Sequence, residues 1–125
     1  MSEDDYKTCI SQMTELNKYA RDIFANYNIH AATDITGFGL LGHLSEMAGD
    51  DYSIIVNSKD IPIIDPALKL AGEFLYSAGG QNNRNYLDGL VEFRNDDFAM
   101  EEVLFDPQTS GGLCVAVSSL SLIHI

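Results

Sequence analysis

The stretch HAATDITGFGLLGHL, residues 30 to 44, constrains the fold of this chain more than any other. Its glycines follow a Gly37-x-Gly39-x-x-Gly42 spacing and lead into Leu40, Leu41, Leu44, Met47 and Ala48. Those apolar positions form one face at helical period, so the spacing predicts a helix from about Gly37–Gly39 to Ala48, closed by Gly49 and Asp50. The same glycine spacing marks the pyrophosphate turn of dinucleotide-binding units, but those need a hydrophobic strand feeding the first glycine. Here the feed is HAATDIT, too polar for a buried parallel strand, and Asp34 would repel a bare pyrophosphate. Two readings stay open. Thr33, Asp34 or Thr36 caps the helix, with the glycines easing the turn, or Asp34 shares a cation with a phosphate. Magnesium suits the second reading, because it commonly takes one or two carboxylates plus substrate phosphates and keeps several waters. Backbone N–H groups at a helix start can also face phosphate oxygens.

Around this block the chain reads as one mixed domain. Residues 2–28 are expected to form a single long helix, started by a Ser2-x-x-Asp5 capping box and carrying an apolar stripe from Tyr6 to Tyr27. Its polar face, with Glu15, Lys18, Arg21 and Asp22, reads as solvated. YSIIVN, residues 52–57, is expected as a buried strand and DIPIID as an extended connection. Asp65-Pro66 opens a third helix, which Gly79-Gly80 stops, leaving GGQNNRN as a polar loop. LVEF reads as a short strand, DDFAMEEVLF as a short helix, DPQTSGG as a turn-rich loop and LCVAV as a buried strand. Helices and strands without strict alternation imply an α+β or layered α/β fold with a mixed sheet and flanking helices.

Composition narrows the partners. Of the 125 residues only 7 are Lys or Arg, and the net charge is -12. A nucleic-acid backbone or an anionic membrane needs clustered positive charge, so neither is expected as a partner. ATP remains possible if divalent cations screen its phosphates. The apolar share, 46%, is enough for a packed core. No run approaches the length of a membrane span, and MSEDDYK lacks an apolar signal core, so a cytoplasmic setting is expected. Cys9 and Cys114 lack metal-type spacing and read as reduced core residues. The last residues, 118–125, read as a non-native tail, since LSLIHI is what a common sequencing adapter encodes.

Four blocks carry a family resemblance. MTELNKYA, AATDITGFGLLGHLSEMA, GGQNNRNY and LFDPQTSGGL occur in the order found in selenophosphate synthetases, and the resemblance spans about residues 5–117. Looser forms occur in relatives such as aminoimidazole ribonucleotide synthetase. The resemblance implies the C-terminal domain of such an enzyme, over residues 1–117. The family makes selenophosphate, AMP and phosphate from ATP, selenide and water, and it requires Mg²⁺. Carried over by position, Asp34 is implied as a Mg²⁺ ligand. Thr33, Thr36 and Gly37 are implied beside it, with Gly79, Gly80 and Asn85 from the second loop and Thr109, Ser110 and Gly111 (flanked by Gln108 and Gly112) from the third. The family's nucleophile, lysine, phosphate loop and other metal-binding aspartates belong to an N-terminal domain that this sequence does not contain. The chain alone is therefore expected to be inactive, and no catalytic residue is assigned within it. A homodimer is the family's habit. His30, His43 and Arg84 keep ordinary readings, as packing, hydrogen-bonding or solvated residues. The alternatives are a domain of another ATP-using enzyme of the same superfamily, or a non-catalytic acidic interaction domain.

Overall fold

The computed structural model describes residues 2–119. In chain order the elements are α1 (Glu3–Thr14), α2 (Lys18–Phe24), β1 (Ile29–Asp34), α3 (Gly39–Ala48), a 3-10 turn (Ser58–Asp60), α4 (Asp65–Gly72), α5 (Ala78–Tyr86), α6 (Phe98–Phe105) and β2 (Leu113–Val117). The class is α+β. Among the described residues the sheet is a single antiparallel pair, β1 with β2, in the register Thr33 to Cys114 and Asp34 to Leu113.

The expected helix over 2–28 is two helices. The capping box at its start is present, with Asp5 N donating to Ser2 Oγ and Ser2 N to Asp5 Oδ2. The break comes at Glu15, whose backbone is extended. Thr14 contributes to it by donating its hydroxyl back to the Ile10 carbonyl at 2.9 Å. A long-range bond then holds the break open: Asn17 Nδ2 donates to the Gly111 carbonyl at 2.9 Å. The stripe predicted to be buried is not, since Tyr6, Leu16 and Ile23 are exposed and Cys9 is only half-buried.

The third helix ends at Gly72, before a left-handed Phe74, rather than at Gly79-Gly80. Its first residue is Asp65, so Asp65 does not cap it; Ile64 takes the cap position without a side-chain bond. Gly79 and Gly80 lie in the first turn of a further helix, α5, where a loop was expected. Ser77 caps that helix by accepting from Gly80 N at 3.0 Å. Glycine serves close approach there: a Cβ on Gly79 would sit 2.6 Å from Pro107 Cγ. Residues 52–57 are unpaired rather than a buried strand, with Ile55 88% exposed, because neither described strand runs beside them. LVEF is not a strand either; Val91 and Phe93 pack on the core from an irregular segment.

The core gathers on α6, which touches α3, α4 and α5. Leu41 from α3, Leu87 just after α5, and Leu104 and Phe105 from α6 form the buried cluster, flanked by Leu40, Ile61, Val91, Phe93 and Met100. Each fully buried leucine or phenylalanine contributes about 1.5–3 kcal/mol relative to exposure. Arg84, expected to be solvated, is drawn into this core edge. Its Nη2 meets Glu102 Oε1 at 2.8 Å and its Nη1 meets Glu101 Oε2 at 3.1 Å. The guanidinium lies 4.7 Å from the Phe105 ring centre. Glu102 is buried and also accepts from Gln81. The helix α5 that the glycines disguised is thus anchored to α6 by charge and by ring stacking.

Candidate functional site

Three segments converge where β1 ends: the turn 35–39, the start of α5, and the loop 105–112. Antiparallel pairing brings the first and third together, and Ile35 N donates to the Gly112 carbonyl at 2.9 Å. One residue on, Gln108 N donates to the Thr36 carbonyl at 3.0 Å. Gly111 presses so closely on Ile35 that an added Cβ would collide with its carbonyl oxygen. The second segment is tied in by Asn83, a buried residue of α5. Its amide donates to the Gly37 carbonyl at 3.0 Å and to the Phe105 carbonyl at 2.9 Å. Ser77 closes the ring by donating its hydroxyl to Asp106 Oδ1 at 2.6 Å.

Asp34 stands at the rim of this junction. It is the last residue of β1 and is exposed. Thr33 donates its hydroxyl to the Asp34 carbonyl at 3.0 Å, but the Asp34 carboxylate has no hydrogen-bond or ion-pair partner among the described residues. A side chain capping α3 would accept from a backbone amide of that helix; Phe38 holds the cap position and no side-chain bond is made there. Capping therefore does not explain Asp34. Among the described residues no cluster of three His, Cys, Asp or Glu is placed to hold a metal by itself.

Behind the rim, Thr36 Oγ1 lies 3.1 Å from His43 Nε2, and His43 Nδ1 lies 3.1 Å from Glu46 Oε2. His43 is buried, with the Phe38 ring edge-on at 5.6 Å, and serves hydrogen bonding, as expected for it. His30 is exposed on β1.

The structure thus brings Thr33, Asp34, Thr36 and Gly37 together with the Gly79-Gly80 turn and with the loop that carries Thr109, Ser110 and Gly111. Thr109 and Ser110 are exposed, and Ser110 has a left-handed backbone with φ of 58°. Asn85 stays outside this junction, exposed on α5, while Asn83 makes the connection. Asn83 was missed because its segment was read as a loop. Gly80, Asn83 and Leu87, all buried, recur at the helical i, i+3, i+7 spacing, which marks an inward face once Ser77 is taken as a cap.

Residues 7–121 match the family described as AIR synthase related protein, C-terminal domain. The chain belongs to this family. Within it, the chain is 53% identical over 111 residues to the selenide, water dikinase of Agathobacter rectalis, covering 88% of this chain and 32% of that protein. It is 45% identical over 111 residues to the selenide, water dikinase of Desulfitobacterium hafniense, covering 89% and 33%. With that of Treponema denticola the identity is 44% over 115 residues, covering 91% and 32%. The likeness to selenophosphate synthetases drawn from the four motif blocks is borne out by these relatives. This AIR synthase related domain spans about a third of their length. Among its described residues no helix is long and apolar enough to cross a membrane.

Proposed function

We propose that this domain is the C-terminal part of a cytoplasmic selenophosphate synthetase, an enzyme that makes selenophosphate, AMP and phosphate from ATP, selenide and water. In this reading the domain contributes one carboxylate, Asp34, to a Mg²⁺–ATP site completed by an N-terminal domain. The observation that carries it is the free Asp34 carboxylate at the crossing of two of the family-like blocks.

The residues fit magnesium in a limited way. One exposed carboxylate without an internal partner suits an ion that keeps most of its waters and shares phosphate oxygens. It does not suit a metal needing a full protein cage, consistent with the absence of a three-residue cluster among the described residues. When bound, the ion would screen phosphate charge during in-line transfer. The chain's own share is positioning. The Ile35–Gly112 and Thr36–Gln108 bonds fix the backbone on either side of the turn, and Asn83 holds Gly37 from behind. Asp34 is thereby presented from a strand end with little freedom left in its backbone. Thr33, Gly79, Gly80, Thr109, Ser110 and Gly111 shape the rim around it, and no residue here acts as nucleophile or base.

A chimera tests this. The corresponding third of the Agathobacter rectalis relative is replaced by this chain, and selenide-dependent AMP formation is measured. Activity close to that of the unmodified relative is expected, with none from the 125-residue chain alone. A folded chimera that binds ATP yet forms no AMP, or AMP formation by the isolated chain, contradicts the proposal.

A further inference from the structure

Helix α4 ends in a geometry that ordinarily takes glycine. Leu75 N donates to the Leu70 carbonyl at 2.9 Å and Phe74 N to the Ala71 carbonyl at 3.0 Å, the paired bonds of a Schellman motif. That motif needs a left-handed residue after the cap, and here it is Phe74, with φ of 62°. Glycine takes this backbone freely, whereas a bulky L-residue is strained enough to shift a folding equilibrium about 5–30-fold. Burial within the domain does not recover the loss. Phe74 is 71% exposed, and its ring contact among the described residues, Phe98 at 5.3 Å, is with another exposed residue. Tyr76, also exposed, meets Phe98 edge-on at 5.9 Å, and Leu75 is exposed between Phe74 and Tyr76 in the chain. The α4–α5 connection and the first residue of α6 thus present an apolar patch at the cost of backbone strain. Leu16 and Ile23 are nearly as exposed but have no left-handed backbone. Strain of this kind collects where a surface has work to do.

Charge and chain length choose the occupant. Glu73, Asp96 and Asp97 adjoin the patch in the chain and are exposed. Against them stand Lys69, one turn back on α4, and Arg94, whose Nε lies 3.8 Å from Glu92 Oε1. A second copy, itself at -12, would bring these acids face to face. The matched span is 32% of the Agathobacter rectalis relative, so a protein of that length holds much further polypeptide. Joined in cis, such polypeptide meets the patch at an effective concentration on the order of millimolar. We propose that Phe74, Leu75, Tyr76 and Phe98 dock an apolar surface with a basic edge, carried by the polypeptide that a full-length enzyme has outside this domain. Burial of the rings there offsets the strain at Phe74. Ser77 follows the patch directly, so the docked polypeptide stands beside the junction that Ser77 closes onto Asp106. This rests on the domain being part of a longer enzyme and needs nothing of Asp34.

The test compares the 125-residue chain with the chimera built on the Agathobacter rectalis relative, by amide exchange and urea unfolding. Residues 73–77 are expected to exchange fast in the isolated chain and at least about tenfold more slowly in the chimera. Phe74→Gly should change sign between the two. It relieves strain in the isolated chain and raises its folding equilibrium constant about fivefold, but lowers the urea midpoint of the chimera. Phe74→Ala keeps the strain and loses the ring, so it should weaken the chimera without stabilising the isolated chain. Tyr76→Ser should remove the protection of residues 73–77 in the chimera. Equal exchange of those residues in both folded proteins overturns the proposal, as does a Phe74→Gly chain that is not stabilised or a Phe74→Gly chimera that is. Protection that grows with the concentration of the isolated chain also overturns it, because the occupant is then a second copy. A chimera that forms AMP while residues 73–77 stay unprotected removes the docking patch and leaves the proposed function standing.

Discussion

Single residues set the shape of the junction more than their exposure suggests. Asn83 holds two carbonyls from two different segments with one amide group. Asn83→Leu keeps the volume roughly constant and strands both acceptors. Each such loss costs about 1–3 kcal/mol, so a fall in unfolding free energy of about 2–6 kcal/mol is expected by urea denaturation. A change near zero would mean that water replaces the amide without penalty. Cys114 gives a pH signature. Burial in β2 pushes its thiol above the ordinary value of 9.0. A group whose folded value is raised contributes stability that is complete below its unfolded value and is lost as pH rises through the folded one. Alkylation of Cys114 should therefore stay slow until the pH exceeds the normal thiol range, and stability should decline over that same alkaline window. Rapid labelling at neutral pH would contradict the half-buried placement.

Elements show where sequence patterns are readable and where they are not. Helix α3 was readable because Leu41 and Leu44 are buried at the spacing that its leucines display. β2 was readable as a short apolar run, though it is half-buried rather than buried, and α6 as the short helix expected over DDFAMEEVLF, its start set by Asp97 accepting from Met100 N. The single helix over 2–28 was not, because its stripe is continuous and the break depends on Asn17 reaching the Gly111 carbonyl, a contact 94 residues away. α5 was hidden by its glycines: propensity argues against a helix opening Ala-Gly-Gly, and packing against Pro107 and Asp106 overrides it. β1 went unnamed because His30, Thr33 and Asp34 interrupt its apolar residues, as suits a strand with an exposed face. Two substitutions probe the junction at this scale. Ser77→Ala removes the α5 cap together with the bond to Asp106 and should lower the unfolding free energy by at least about 1 kcal/mol. Gly111→Ala drives a methyl into the Ile35 carbonyl, so the loop must move; loss of the slow-exchanging Ile35 amide is the expected sign. An unchanged Ile35 amide in that variant would show the β1–β2 junction to be more yielding than its spacing implies.

For the whole molecule, the site was readable as blocks but not as a place. The sequence put Asp34, the Gly79-Gly80 turn and Thr109–Gly111 in three separate stretches, and pairing of β1 with β2 together with Asn83 brings those stretches to one rim. What recognition could not supply was which asparagine makes the link, because that depends on α5 being helical. The rim also fits a domain that spans about a third of its relatives' length, since it offers one carboxylate and no complete cation cage among the described residues. The acidity of the chain, -12 overall, disfavours a bare phosphate beside Asp34 and favours one screened by a cation. The most direct test is the Mg²⁺ dependence of selenide-dependent AMP formation by the chimera carrying Asp34→Asn, with folding checked by its unfolding curve. A preserved fold with turnover reduced at least about tenfold is predicted, consistent with loss of charge stabilisation at a transferring phosphate. Unchanged turnover at an unchanged Mg²⁺ requirement would contradict the account.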